Sequence, residues 1–157
     1  MEIQAVQKEA FSVIGKEGST EQGAGFVKQL WDSANANFAD VQTLAKRDTA
    51  GNLVGLWGLM SDMGRQFRPW EEGFTKGLYL AGIEVDDDAE APDGWAKWTA
   101  PASEYLRAKI VGDPSRGFGE VIQYIKDNGK ELAGAVYDFN HPGENGQLYM
   151  YFPIRRL

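Results

Sequence analysis

Hydrophobic positions divide the chain into strand-like and helix-like stretches that come in a repeating order. Residues 3–15 alternate loosely and end in Phe11-Ser12-Val13-Ile14-Gly15, which predicts a strand closed by glycine. Ser19 and Gln22 form a capping box. Phe26, Leu30, Ala34, Phe38, Val41 and Leu44 then recur at three- and four-residue steps, predicting a helix of about 20 residues with one buried face. Leu53 to Met60 is apolar on both parities, as in a central strand covered on both sides. Gly55 and Gly58 within it imply that something comes close to the backbone. Residues 61–77 make a long connection around Pro69-Trp70. Leu78 to Val85 is a further strand, and Asp86 to Gly94 an acidic loop.

The order then repeats. Trp95 to Ala100 is a short extended piece ended by Pro101, and Glu104 to Val111 alternates as a strand. Asp113 caps a helix that has Pro114 at its first position and Phe118, Val121, Ile122 and Ile125 as its buried stripe. Asn128-Gly129 ends that helix. A strand over 133–139, a turn over 141–146 and a strand over 148–154 complete the chain. The pattern predicts a single α+β domain over 1–157. Two strand-helix-strand-strand units, about 1–88 and 93–157, lie side by side, with an antiparallel sheet, two helices and a ligand cleft at the seam.

Composition narrows what such a domain does. The chain has 157 residues, enough for one core without disulfide or metal. It has no cysteine, which removes thiol chemistry, and His141 lies in a His-Pro-Gly turn where a solvated role is expected. A net charge of −7 disfavours direct nucleic acid binding. No apolar run is long enough for a membrane span, and Met1-Glu2-Ile3-Gln4 lacks the start of a signal peptide, so a cytoplasmic location is expected. The sequence shows no nucleophile elbow and no phosphate-binding glycine loop, and no cofactor is expected. Asp86-Asp87-Asp88 lacks calcium-loop spacing and reads as a solvated loop.

Several short motifs resemble the GyrI-like family, which includes the effector-binding domains of multidrug-responsive transcription activators. They are Gly55-Leu56-Trp57-Gly58, the strand Gly77 to Val85, the turn Pro92-Asp93-Gly94-Trp95, Ala100-Pro101-Ala102-Ser103-Glu104-Tyr105, and Tyr149-Met150-Tyr151-Phe152-Pro153-Ile154. Together they cover nearly the whole chain in the family's order. The resemblance implies paired strand-helix-strand-strand units and a cleft for lipophilic cations, lined by aromatics and holding an acid. With no helix-turn-helix in the sequence, it is to the stand-alone members. Among these are drug-binding proteins, a gyrase inhibitor and hydrolases of alkylating toxins.

A cleft for such a cation needs flat apolar walls and a carboxylate. Glu84 shares parity with Leu78, Leu80 and Gly82; it either points with them or is a solvated strand end. Glu104 shares parity with Leu106 and Ala108, and Asp138 with Val136. The resemblance places the family's acid near the end of the strand before the final hairpin, where Asp138 is the nearest counterpart, although the family's Phe-Glu-x-Tyr pattern is absent. Trp57, Trp70, Trp98, Tyr105 and Tyr149 are the candidate walls, each with core packing as its alternative. The expected function is binding of a small lipophilic cation rather than catalysis. The alternatives are a hydrolase of small toxic compounds, working through a buried carboxylate and a tyrosine, and a protein-interaction role, with a protein partner or a homodimer.

Overall fold

The computed structural model describes every residue from Met1 to Leu157. Its elements are β1 (Ile3–Lys8), β2 (Phe11–Ser19), α1 (Phe26–Ala36), β3 (Leu56–Ser61), a single turn α2 (Glu71–Phe74), β4 (Leu78–Val85), β5 (Ala96–Ala100), β6 (Ser103–Lys109), α3 (Pro114–Asp127), β7 (Tyr137–His141) and β8 (Gln147–Arg156). The eight strands form one antiparallel sheet in the order β1-β6-β8-β7-β3-β4-β2-β5. The α+β class holds. The two predicted units appear as β2-α1-β3-β4 and β6-α3-β7-β8, joined where β3 pairs with β7. The seam is therefore hydrogen-bonded sheet, and it leaves space only above and below.

The outer strands are exchanged. β1 leads into β2 yet borders β6, and β5 leads into β6 yet borders β2. Only Glu9-Ala10 separates Lys8 from Phe11, a span of at most about 11 Å. In a flat sheet β1 and β2, six strand spacings apart in this order, would lie about 29 Å from one another. The sheet must therefore curl until its two ends meet at this corner. Its core agrees, because residues from every strand pack into one cluster: Val6, Phe11, Val13, Trp57, Leu59, Leu80, Trp98, Tyr105, Tyr137, Phe139, Tyr149 and Tyr151 all face inward. Two glycines face each other where Gly15 of β2 pairs with Gly82 of β4. A Cβ on Gly15 would lie 2.3 Å from the Ala81 carbonyl oxygen, so only glycine permits this approach of two backbones.

The alternate residues face outward and carry the helices. Phe26, Val27, Leu30 and Trp31 of α1 cover Tyr79 and Ala81. Phe118, Val121, Ile122 and Ile125 of α3 cover Leu106, Ala108, Met150 and Phe152. As predicted, Asp113 caps α3 through Ser115 N–H, with Pro114 in its first turn. No helix is long and apolar enough to cross a membrane.

Some boundaries differ from expectation. Residues 3–15 are two strands, broken at Glu9-Ala10 so that each can join a different end of the sheet. The first helix spans only Phe26–Ala36. The Ser19/Gln22 capping box exists, but it caps a three-residue 3-10 turn, because Gly23 and Gly25 at positive φ interrupt the helical path. Val41 and Leu44 lie beyond the helix and pack against Ile14, Ile83 and Val85. The strand expected over 133–139 is Tyr137–His141.

Candidate functional site

The curl of the sheet encloses a chamber that aromatic side chains fill as a packed core. Trp57, on β3, is at its centre, with ring centroids of Phe11 and Phe139 at 4.7 Å and Tyr151 at 5.0 Å. Tyr105 lies 5.5 Å from Tyr151 and 6.0 Å from Tyr137. Phe67, from the long connection between β3 and β4, wedges edge-on between Trp98 and Tyr137. Rings at these separations and tilts attract edge to face and fill the space densely.

Two carboxylates enter this apolar volume, each held by an indole. Glu84 is 3 % exposed and accepts from Trp57 Nε1 at 2.9 Å. Lys8 Nζ lies 3.5 Å from its Oε1, and Lys46 Nζ 3.8 Å from its Oε2. The Lys8 ammonium also sits 4.4 Å from the Phe11 ring centroid and 5.4 Å from that of Trp57. At the other end Glu17 accepts from Trp98 Nε1 at 2.8 Å and from the Arg65 guanidinium. Burial works to raise the Glu17 pKa, but the Arg65 and Trp98 bonds outweigh it and hold it below the usual carboxylate value. The Arg107 guanidinium stacks 4.0 Å over the Tyr149 ring. Burial pushes the Tyr105 hydroxyl up to about 12 and Tyr137 well above the ordinary phenol value, so both stay neutral.

The structure thus brings Trp57, Glu84, Trp98, Tyr105 and Tyr149 together on the inward face. It separates the other candidates from them. Glu104 faces away from the chamber, partly exposed, where its Oε2 pairs with Arg155 Nη2 at 3.0 Å. Trp70 and Asp138 lie on the outer, helix-bearing face. Trp70 donates from Nε1 to the Leu78 carbonyl and lines an outer cavity with Met60, Phe74, Phe118, Val136 and Met150. Asp138 accepts at Oδ2 from Tyr79 Oη at 2.9 Å. Tyr79 reaches it across Gly58, where a Cβ would lie 1.8 Å from the hydroxyl oxygen. The close approach expected at Gly58 is this tyrosine.

Sequence reasoning missed Lys8, Phe11, Glu17, Phe67, Tyr137, Phe139 and Tyr151 as chamber residues. Parity held the signal for Glu17, which follows Phe11 and Val13 on one face of β2. Nothing local marks Phe67, whose place depends on the path of a long connection.

No family model and no curated protein matches the sequence. Solved structures match it in shape over nearly all its length. SAV2435 bound to tetraphenylphosphonium superposes with a TM-score of 0.66 at 20% identity, covering 99% of this chain and 94% of that one. The EcmrR C-terminal domain gives 0.63 at 14% identity, covering 99% and 98%. A hydrolase from Listeria innocua gives 0.58 at 10% identity, covering 98% and 91%. At such identities the likeness is one of fold, and it is the fold that the resemblance to the GyrI-like family implies.

Proposed function

We propose that this protein binds a small lipophilic cation in the aromatic chamber, with Glu84 as its counter-charge. The observation that carries this reading is the placement of Lys8, whose ammonium rests against the Phe11 and Trp57 rings and the Glu84 carboxylate. The chamber already holds a cation at this point. Each ring face there contributes about 0.5–2 kcal/mol to a positive charge, and the buried carboxylate contributes more than it would in water. A delocalised organic cation suits the place better than an ammonium, because it loses less hydration on entering and buries more apolar area. Lys8 lies at the end of the outermost strand with its side chain 26% exposed, so its flexible stem can swing into water and leave the position to a ligand. The likeness in fold to SAV2435, which was solved with tetraphenylphosphonium bound, supports the same class of ligand.

The test is titration with tetraphenylphosphonium and with neutral triphenylphosphine oxide, following tryptophan fluorescence. The expected result is quenching by the cation only, weakened about tenfold or more by Glu84→Gln. No response to the cation, or an equal response to the neutral compound, would refute the reading.

A further inference from the structure

Arg107 is the one arginine of the chain that is not exposed, and it is a cation without an acid. The other arginines find acceptors: Arg65 pairs with Glu17, Arg116 with Glu120 and Arg155 with Glu104, while Arg156 donates to the Gln66 and Phe67 carbonyls. Arg107 Nε is buried and has no hydrogen-bond partner. The Tyr151 hydroxyl is near enough to feel its charge, which opposes the rise that burial imposes on that phenol, but it does not satisfy Nε. A guanidinium drawn partly out of water with a donor unmet is costly, and such a group in a native fold asks for an explanation.

The surroundings hold this donor in place at the rim of the chamber. Its Cζ lies 4.0 Å over the Tyr149 ring and 5.9 Å from that of Tyr151, its partner in register on β8. Tyr149 reaches the rim, where its Oη donates at 2.7 Å to Oε1 of Glu144, exposed in the turn between β7 and β8. The His141 ring stands 6.1 Å from that of Tyr149 and 5.4 Å from that of Phe139, so a row of flat rings leads inward from this point. Lys109 is two residues along β6 on the same face as Arg107, opposite Tyr149. Glu144 does not neutralise Arg107, because its oxygens are engaged by Tyr149 and, at 3.5 Å, by His141. The Tyr149 bond first, and then the charges of His141, Lys109 and Arg107, hold the Glu144 carboxyl below its ordinary pKa. In a chain of net charge −7, the rim is a cationic place.

We infer that this rim is an anion site, and that it takes a small aromatic carboxylate whose oxygens accept from the Arg107 guanidinium and whose ring joins the row of Phe139, His141 and Tyr149. The planar fork of an arginine matches the two oxygens of a carboxylate. A monoanion with a flat apolar body suits a half-buried donor among rings, whereas a phosphate dianion would lose more hydration there. The site is opposite in charge to the one proposed around Glu84, and it stands whether or not the chamber admits a cation.

The probe is benzoate, titrated into isotopically labelled protein beside benzamide and inorganic phosphate, following the Arg107 Nε–H and His141 ring signals by NMR. The expected result is a saturable shift of both signals with benzoate only. Arg107→Lys keeps the stem and the charge but loses the fork, and should weaken benzoate about tenfold as read from the His141 signal. Lys109→Gln should weaken it about threefold. Unmoved Arg107 and His141 signals would overturn the inference. So would an equal response to benzamide or to phosphate, or an affinity unaltered in the Arg107→Lys protein. Should that protein fail to fold, the wild-type Arg107 signal and the Lys109→Gln titration decide: a fixed Arg107 signal, or unaltered affinity in Lys109→Gln, would equally overturn it.

Discussion

The indole N–H of Trp57 donates to Glu84 Oε1 at 2.9 Å, and both residues are almost wholly buried. The bond joins the chamber's central ring to one of its two carboxylates. Trp57→Phe keeps much of the ring but removes the donor, leaving a buried carboxylate short of one partner. The expected cost is about 1–3 kcal/mol of stability in urea unfolding. A loss under about 0.5 kcal/mol would mean that the two lysines alone satisfy Glu84.

Lys8 and the proposed ligand compete for one place. Lys8→Met keeps the apolar stem and removes the ammonium. Tetraphenylphosphonium affinity should rise by about tenfold, or ~1.4 kcal/mol. Unchanged or weaker binding in the same titration would show that the ammonium does not occupy the ligand's position.

Asp138 makes stability depend on pH with a definite sign. Its folded pKa, about 6, lies above the ordinary 3.8, so between these values the folded state holds more protons than the unfolded one. Its contribution is most favourable below pH 3.8, falls as pH rises to about 6, and is level above that. Asp138→Asn removes the titration. Its stability relative to wild type should improve by about 1–3 kcal/mol between pH 4 and pH 8, as read by denaturant melts at each pH. A difference that stays constant across that range would show that the carboxyl titrates normally.

Gly15 is expected to tolerate no side chain. A Cβ there meets the Ala81 backbone at 2.3 Å, and backbone cannot yield as a flexible side chain does. Gly15→Ala should cost about 2 kcal/mol or more, or prevent folding. A melting temperature equal to wild type would mean that the sheet can open at this pair.

Glu104 gives the opposite expectation. Its pairing with Arg155 is partly exposed, and such pairs are worth about 0–1 kcal/mol. Glu104→Gln should change the unfolding free energy by no more than that and leave tetraphenylphosphonium binding unaltered. A tenfold effect on tetraphenylphosphonium binding would place Glu104 in a site the structure does not join it to.

What the sequence made legible depends on how local the cause is. Strand β4 carries its own signal in Leu78 to Val85, and α3 has its cap, its proline and its terminal Asn128-Gly129 within one stretch. Parity correctly grouped Glu84 with Leu80 and Asp138 with Val136. It could not say which face of the sheet encloses the chamber, because both faces are covered and both read as apolar. Lys8 was illegible for a related reason. A lysine near the start of a chain reads as solvated, and only the curl of the sheet brings it over Phe11 and Trp57.

The exchange of β1 and β5 has a consequence for the integrity of the chain. Each half carries the strand that finishes the other. Divided within the acidic loop at 86–94, neither piece could cover its own open edge, and each would hold a strand with no place in its own half. The two pieces would complete each other on meeting. A lone half could satisfy itself only by clasping a second copy of itself, so two such copies in mutual embrace are the simplest self-sufficient form this architecture allows.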